Sequence, residues 1–137
     1  MHYAKEKIPY GAMRYVGETE RLYGVLDARL QDRDWVAGPG RGKYSIADMS
    51  LCGWVNGASY LGLDIDQFPN VKAWFQRLWE RPATQRGFTV PAAGANGIIA
   101  YSKRLSEGDE DLKKQFETTK KFIDDSKKQY NYKYSSP

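Results

Sequence analysis

The chain has 137 residues, 41% of them apolar and 28% charged, proportions that allow one domain-sized core and exclude global disorder. One cysteine, Cys52, and one histidine, His2, exclude an internal disulfide framework and a zinc ligand set. No apolar run approaches the roughly 20 residues of a membrane helix, and the start does not read as a signal peptide; the 21 Lys and Arg are spread along the chain against 17 Asp and Glu, so neither membrane nor nucleic acid is an expected partner and a reducing, cytoplasmic setting is.

Taken in order, nearly every segment predicts helix. Pro9 suits a first helical turn, where its missing N–H costs nothing. Tyr15, Thr19, Leu22/Tyr23, Leu26 and Leu30 then recur at three and four, which predicts one buried stripe, with Glu18, Glu20, Arg21, Asp27 and Arg29 in solvent. Gly38-Pro39-Gly40 and Gly42 mark residues 32–44 as a loop, and Trp35-Val36-Ala37 inside it is expected to tuck against the core.

Ser45-Ile46-Ala47-Asp48 is a capping box, a hydroxyl three residues ahead of a carboxylate, flanked by Tyr44 and Met49 at the positions of a hydrophobic staple. The helix it opens carries Leu51, Cys52, Trp54, Val55 and Ala58, apolar nearly all round, and is expected in the middle of the domain, with Gly62 ending it. Phe68-Pro69-Asn70 opens the next helix, whose stripe is Val71, Trp74, Phe75, Leu78 and Trp79. Pro82 forces a stop or a new start, and a short turn over 83–86 reaches Gly87. Residues 88–100 are rich in Gly, Ala and Pro and predict an irregular strap. A charged helix over 109–129 follows, with Leu112, Phe116 and Phe122/Ile123 as its apolar positions, and the tyrosine-rich end from Tyr130 to Pro137 is expected to be loose. No internal repeat is visible, and the fold class is all-α.

The residues also carry a resemblance. Tyr44-Ser45-Ile46-Ala47-Asp48, followed by Phe68-Pro69-Asn70-Val71-x-x-Trp74-x-x-Arg77-x-x-x-Arg81-Pro82-Ala83, resembles the all-helical C-terminal domain of glutathione transferases. The stretch from Tyr3 to Pro9-Tyr10 and on through Arg21-Leu22-Tyr23-Gly24-Val25-Leu26 is similar to the fungal branch related to the yeast nitrogen-regulatory prion protein and to bacterial disulfide-bond reductases. The resemblance implies a transferase C-terminal-like helical bundle over 1–91, with 92–137 supplying the strap, an extra C-terminal helix and a tail packed on the same domain. The family's thioredoxin-like domain, which holds glutathione, has no counterpart in these residues, so glutathione as cofactor stays open. Asn56 stands where that branch carries an arginine in a Trp-Val-Arg run.

By carry-over, His2 and Tyr3 near the first helix, and Trp54 and Asn56 on the central helix, line an electrophile pocket facing the absent domain, with Tyr10 and Tyr60 within its reach. His2 and Tyr3 are the candidates for proton transfer. Each has a plainer reading: His2 as a solvated terminus, Trp54 as core, Cys52 as an inert buried thiol, Asp48 as a helix cap. Asn56 on an apolar helix needs a hydrogen-bond partner or a cavity edge. No metal is expected. Two functions follow: a glutathione transferase-like enzyme that conjugates, isomerises, dehydrates or cyclises an apolar metabolite, in a setting of fungal secondary metabolism, or a non-catalytic interaction module on the same fold. An uncovered apolar face is expected to be closed by a homodimer or a partner, with the 88–130 segment covering part of it.

Overall fold

The computed structural model describes residues 6–90, 104 and 106–135, and among them every regular element is helical. The helices are α1 (Pro9–Leu30), α2 (Ile46–Asn56), α3 (Pro69–Trp79), α4 (Pro82–Gly87) and α5 (Glu110–Gln129), with 3₁₀ turns at Ala58–Leu61 and Ile65–Gln67. The strap expected over 88–100 falls, from residue 91 on, outside the described residues. One core joins α1 through Val16, Tyr23 and Leu30, α2 through Cys52 and Val55, and α3 through Val71, Trp74, Phe75 and Leu78. Ile123 of α5 is part of it. As the loop's apolar run predicts, Trp35 and Val36 pack against this core.

The starts and stops follow local chemistry. Pro9, Pro69 and Pro82 each stand in the first turn of a helix, where no N–H partner is needed. α2 ends at Asn56, before a 3₁₀ turn that Gly62 closes in the left-handed region at φ 64°. Asp109 caps α5 by accepting from the Leu112 N–H at 3.0 Å, and that bond, reinforced by Arg104, holds its carboxyl below the usual aspartate range. The cap of α3 comes from 43 residues upstream. Phe68 offers no side-chain acceptor there, and Asp27 of α1 accepts from the N–H groups of Asn70 (2.8 Å) and Val71 (3.0 Å) and from Asn70 Nδ2 (2.9 Å).

The buried stripe of α1 lies elsewhere than the apolar spacing predicts. Tyr23 and Leu30 are buried, but Tyr15 is 76% exposed and Leu22 half-exposed, and the face turned inward is Ala12, Val16, Gly17, Glu20, Tyr23 and Gly24. The reason is α5, which lies along α1. Lys127 reaches across to the buried Glu20, Nζ to Oε1 at 2.5 Å, so the centre of the buried face is a carboxylate. Gly17 leaves room for close approach. A Cβ built on Gly17 would stand 2.6 Å from the Tyr132 ring, whose hydroxyl donates to the Gly17 carbonyl at 2.9 Å. The tail touches the rest of the domain at Tyr132 and at Tyr134, which lies edge-on to Phe68 at 5.6 Å.

Candidate functional site

Helix α2 exists because its first turn is held from four directions. Ser45 Oγ accepts from the Ala47 N–H, and Asp48, fully buried, accepts from Ser45 N (2.9 Å), Ser45 Oγ (3.3 Å), Val36 N (3.0 Å) and Trp74 Nε1 (2.9 Å). One carboxylate thus closes the capping box and pins the 32–44 loop and α3 to α2. The plain reading of Asp48 as a structural residue holds. Of the two staple positions, Met49 is half-exposed and Tyr44 packs edge-on to Trp35 at 5.1 Å.

With that turn fixed, α2 presents two apolar faces. One, through Cys52 and Val55, faces the core. The other carries Ile46 (80% exposed), Met49, Ser50, Gly53 and Trp54 (78% exposed), at the three-and-four spacing of a single stripe. No charged side chain stands among these exposed positions, and a Cβ on Gly53 would meet nothing within 4 Å. The expectation of a helix covered all round is corrected by this face, because α5 packs along α1 and reaches the turn after α2, where Ile123 Cδ1 comes within 3.2 Å of a Cβ built on Gly62. It does not cover the outer stripe. Trp54 is accordingly not a core residue, and its carbonyl accepts from the Tyr23 hydroxyl at 3.1 Å.

The other candidates divide. Asn56 is buried at the end of α2, and Tyr60 is 40% exposed on the following turn, so Trp54, Asn56 and Tyr60 share one stretch of chain. Tyr10 is half-exposed at the start of α1 and packs edge-on to Tyr130 at 5.4 Å. His2 and Tyr3 lie outside the described residues. Open grooves mark the surface among the described residues. One of about 310 Å³ runs between α1 and the turn after α2, lined by Ile8, Gly11, Tyr15, Thr19 and Leu61 among others. A second, about 470 Å³, lies along the start of α5, and a third, about 240 Å³, lies between α1 and the tail. Neither Trp54 nor Asn56 lines any of them.

Burial pushes the Cys52 thiol up to about 11, so at neutral pH it is a protonated core group. Iodoacetamide at pH 7.5 should leave Cys52 unmodified in the folded chain over hours and label it fully in denaturant, as read by intact mass; rapid labelling of the folded chain would show the thiol to be accessible. Among the described residues no group of His, Cys, Asp and Glu is placed to hold a metal, and no helix is long and apolar enough to cross a membrane.

Comparison with known proteins adds the family. A model of the glutathione S-transferase C-terminal domain matches residues 11–82, more than half of the chain. The disulfide-bond oxidoreductase YfcG of Escherichia coli is 43% identical over 83 residues, covering 61% of this chain and 37% of that protein. The glutathione S-transferase-like protein tpcF of Aspergillus fumigatus is 33% identical over 95 residues, covering 60% and 41%. Glutathione S-transferase 1 of Schizosaccharomyces pombe is 31% identical over 100 residues, covering 63% and 42%. The chain therefore spans well under half the length of these relatives. Helix α5, with its buried ion pair to α1, lies beyond the residues that the family model matches.

Proposed function

The chain belongs to the glutathione S-transferase C-terminal domain family, and from that premise we propose that it serves a glutathione transferase-like enzyme as the wall that binds an apolar metabolite. The observation that carries this reading is the uncharged outer stripe of α2, Ile46, Met49, Ser50, Gly53 and Trp54, left open beside the buried core. An indole 78% exposed is a large apolar surface for a ligand ring to stack on. Tyr60, on the turn after α2, is the polar group proposed to orient the ligand, with Asn56 buried behind the stripe at the end of α2, and His2, Tyr3 and Tyr10 are the candidates to reach it from the start of the chain. With glutathione as co-substrate, its thiolate sulfur forms a bond to an electrophilic carbon while the leaving group departs with the electron pair. Without it, the same wall supports proton-transfer steps, isomerisation, dehydration or cyclisation, in which a Tyr or His takes a proton from one atom and returns it to another. Fungal secondary metabolism in the cytoplasm is the setting this reading assigns.

The test is a fluorescence titration with the uncharged apolar probe N-phenyl-1-naphthylamine. Saturable one-to-one binding that falls about tenfold in Trp54→Lys, with the circular dichroism spectrum unchanged, is expected for a buried aromatic contact. Binding indifferent to Trp54 would overturn the assignment of the α2 face.

The exposure of that uncharged stripe, with Ile46 at 80% and Trp54 at 78%, also favours a second reading, a protein-interaction module. Here a second copy or another protein covers α2. Sedimentation velocity separates the two: a wild-type dimer that Trp54→Lys converts to monomer, with no probe binding by either form, supports the module.

A further inference from the structure

We propose that the 32–44 loop, together with the end of α3, is a docking surface for an acidic peptide segment of a partner protein. Spread through the sequence, the cations here look like ordinary surface charge. The fold gathers Arg29, Arg33, Arg41, Lys43, Arg77 and Arg81 from three separate segments onto one end of the molecule, around the loop, with Asp27, Asp32, Asp34 and Glu80 as the carboxylates nearest them in the chain.

How these cations are held distinguishes them from solvated side chains. Arg29 donates to the Val36 carbonyl at 3.0 Å, and Arg33 donates to the carbonyls of Trp35 (3.3 Å) and Gly38 (2.6 Å). The Arg81 guanidinium lies 3.7 Å above the Tyr44 ring, and its Nε is buried with no hydrogen-bond partner. None of these three is ion-paired to a carboxylate among the described residues. They are aimed and held by neutral groups, with their charge left for something else. The ends of α1 and α3 account for Arg29 and Arg77 as ordinary partners of helix C-termini; they do not account for Arg33, Lys43 or Arg81.

The loop that carries them is preorganised. Its backbone closes on itself through Asp34 N to Arg41 O (2.8 Å) and Lys43 N to Ala37 O (2.7 Å), and Asp48 holds Val36 from the core side. Gly38 at φ 91° and Gly42 at φ 86° allow that path. A surface already ordered loses little entropy on binding.

The chemistry proposed for the occupant follows that of Asp34, a carboxylate inside the cluster. Asp34 is gripped side-on by Arg41, Nε to Oδ2 at 2.8 Å and Nη2 to Oδ1 at 2.7 Å, with Arg77 Nη2 at 3.4 Å from Oδ1. A peptide carboxylate cannot repeat that side-on grip at Arg33, whose Nε and Nη2 already donate to carbonyls, or at Arg81, whose Nε is buried; there it would meet the outer Nη1–Nη2 end of each guanidinium. Single-stranded nucleic acid needs open aromatic faces on which bases stack. The rings here are taken: Arg81 covers Tyr44, and Arg77 lies over Trp35 at 5.8 Å.

The probe is a fluorescein-labelled twelve-residue Asp/Glu-rich peptide, followed by anisotropy with the whole chain. Saturable binding that weakens steeply as salt rises is expected. Arg33→Gln with Arg81→Gln should lower the affinity about tenfold or more. Lys43→Gln, an exposed change that leaves the loop's backbone bonds in place, should lower it about threefold. Lys113→Gln with Lys114→Gln, on the exposed side of α5, should leave it unchanged. Absence of saturable binding, an equal loss in the α5 variant, or tighter binding of a single-stranded oligonucleotide of the same charge would each overturn the proposal.

Discussion

Asp48→Ala is expected to destabilise the chain by about 3–5 kcal/mol, the largest effect of any single substitution away from the apolar core. The carboxylate is fully buried and takes four hydrogen bonds, from Ser45 N, Ser45 Oγ, Val36 N and Trp74 Nε1. Removing it leaves buried donors on three different elements without an acceptor, and each orphaned donor costs about 1–3 kcal/mol. Asp48→Asn keeps the shape but replaces one oxygen by an NH₂ donor that would face other donors, so it should recover only part of the loss. Urea unfolding followed by circular dichroism measures both. An unfolding midpoint close to wild type in Asp48→Ala would mean that α2 is held by packing alone and that the four bonds are worth little.

Lys127→Met is expected to cost about 2–4 kcal/mol, because it leaves the Glu20 carboxylate buried beside an apolar neighbour. Glu20 Oε1 has Lys127 as its ion-pair partner, and Oε2 is already buried without a hydrogen bond, so no other group takes over the charge. The double substitution Glu20→Met with Lys127→Met should recover most of the loss or exceed wild type, since two buried charges are exchanged for apolar volume. The same unfolding measurement, run as a double-mutant cycle, isolates the pair. Additive effects of the two single changes would mean that the ions do not act together and that α5 is held in place by its other contacts, among them Ile123 in the core and Tyr130 on Tyr10.

The two predictions mark what the sequence shows and what it hides. The starts of α1, α2, α3 and α5 are written in single residues, Pro9, Ser45 with Asp48, Pro69 and Asp109, because a cap or a proline acts locally and needs no partner from afar. The inward face of α1 is not written that way. Periodicity sorts side chains by polarity, so it placed Tyr15 and Leu22 inside and Glu20 outside, whereas α5, a hundred residues later, supplies the lysine that lets Glu20 be buried. Asp27 was invisible for the same reason, since its duty is to cap a helix 43 residues downstream.

The candidate site divides along the same line. Residues 46, 49, 50, 53 and 54 already form a second uncharged stripe on α2, legible once both faces of that helix are counted. That this stripe stays open while α5 covers α1 depends on tertiary packing that no local pattern encodes. The basic cluster around the 32–44 loop was hidden too, because its members come from three segments, none of them a run of like charge.

The most direct test of the account is calorimetric titration of the folded chain with S-hexylglutathione and, separately, with reduced glutathione. An apolar wall on α2 predicts saturable binding of the hexyl compound, weak or no binding of glutathione itself, and a loss of about tenfold in Trp54→Lys. Equal affinity for both compounds, unchanged in Trp54→Lys, or no heat from either would contradict it: the first places recognition on the peptide and away from α2, and the second removes the small molecule altogether.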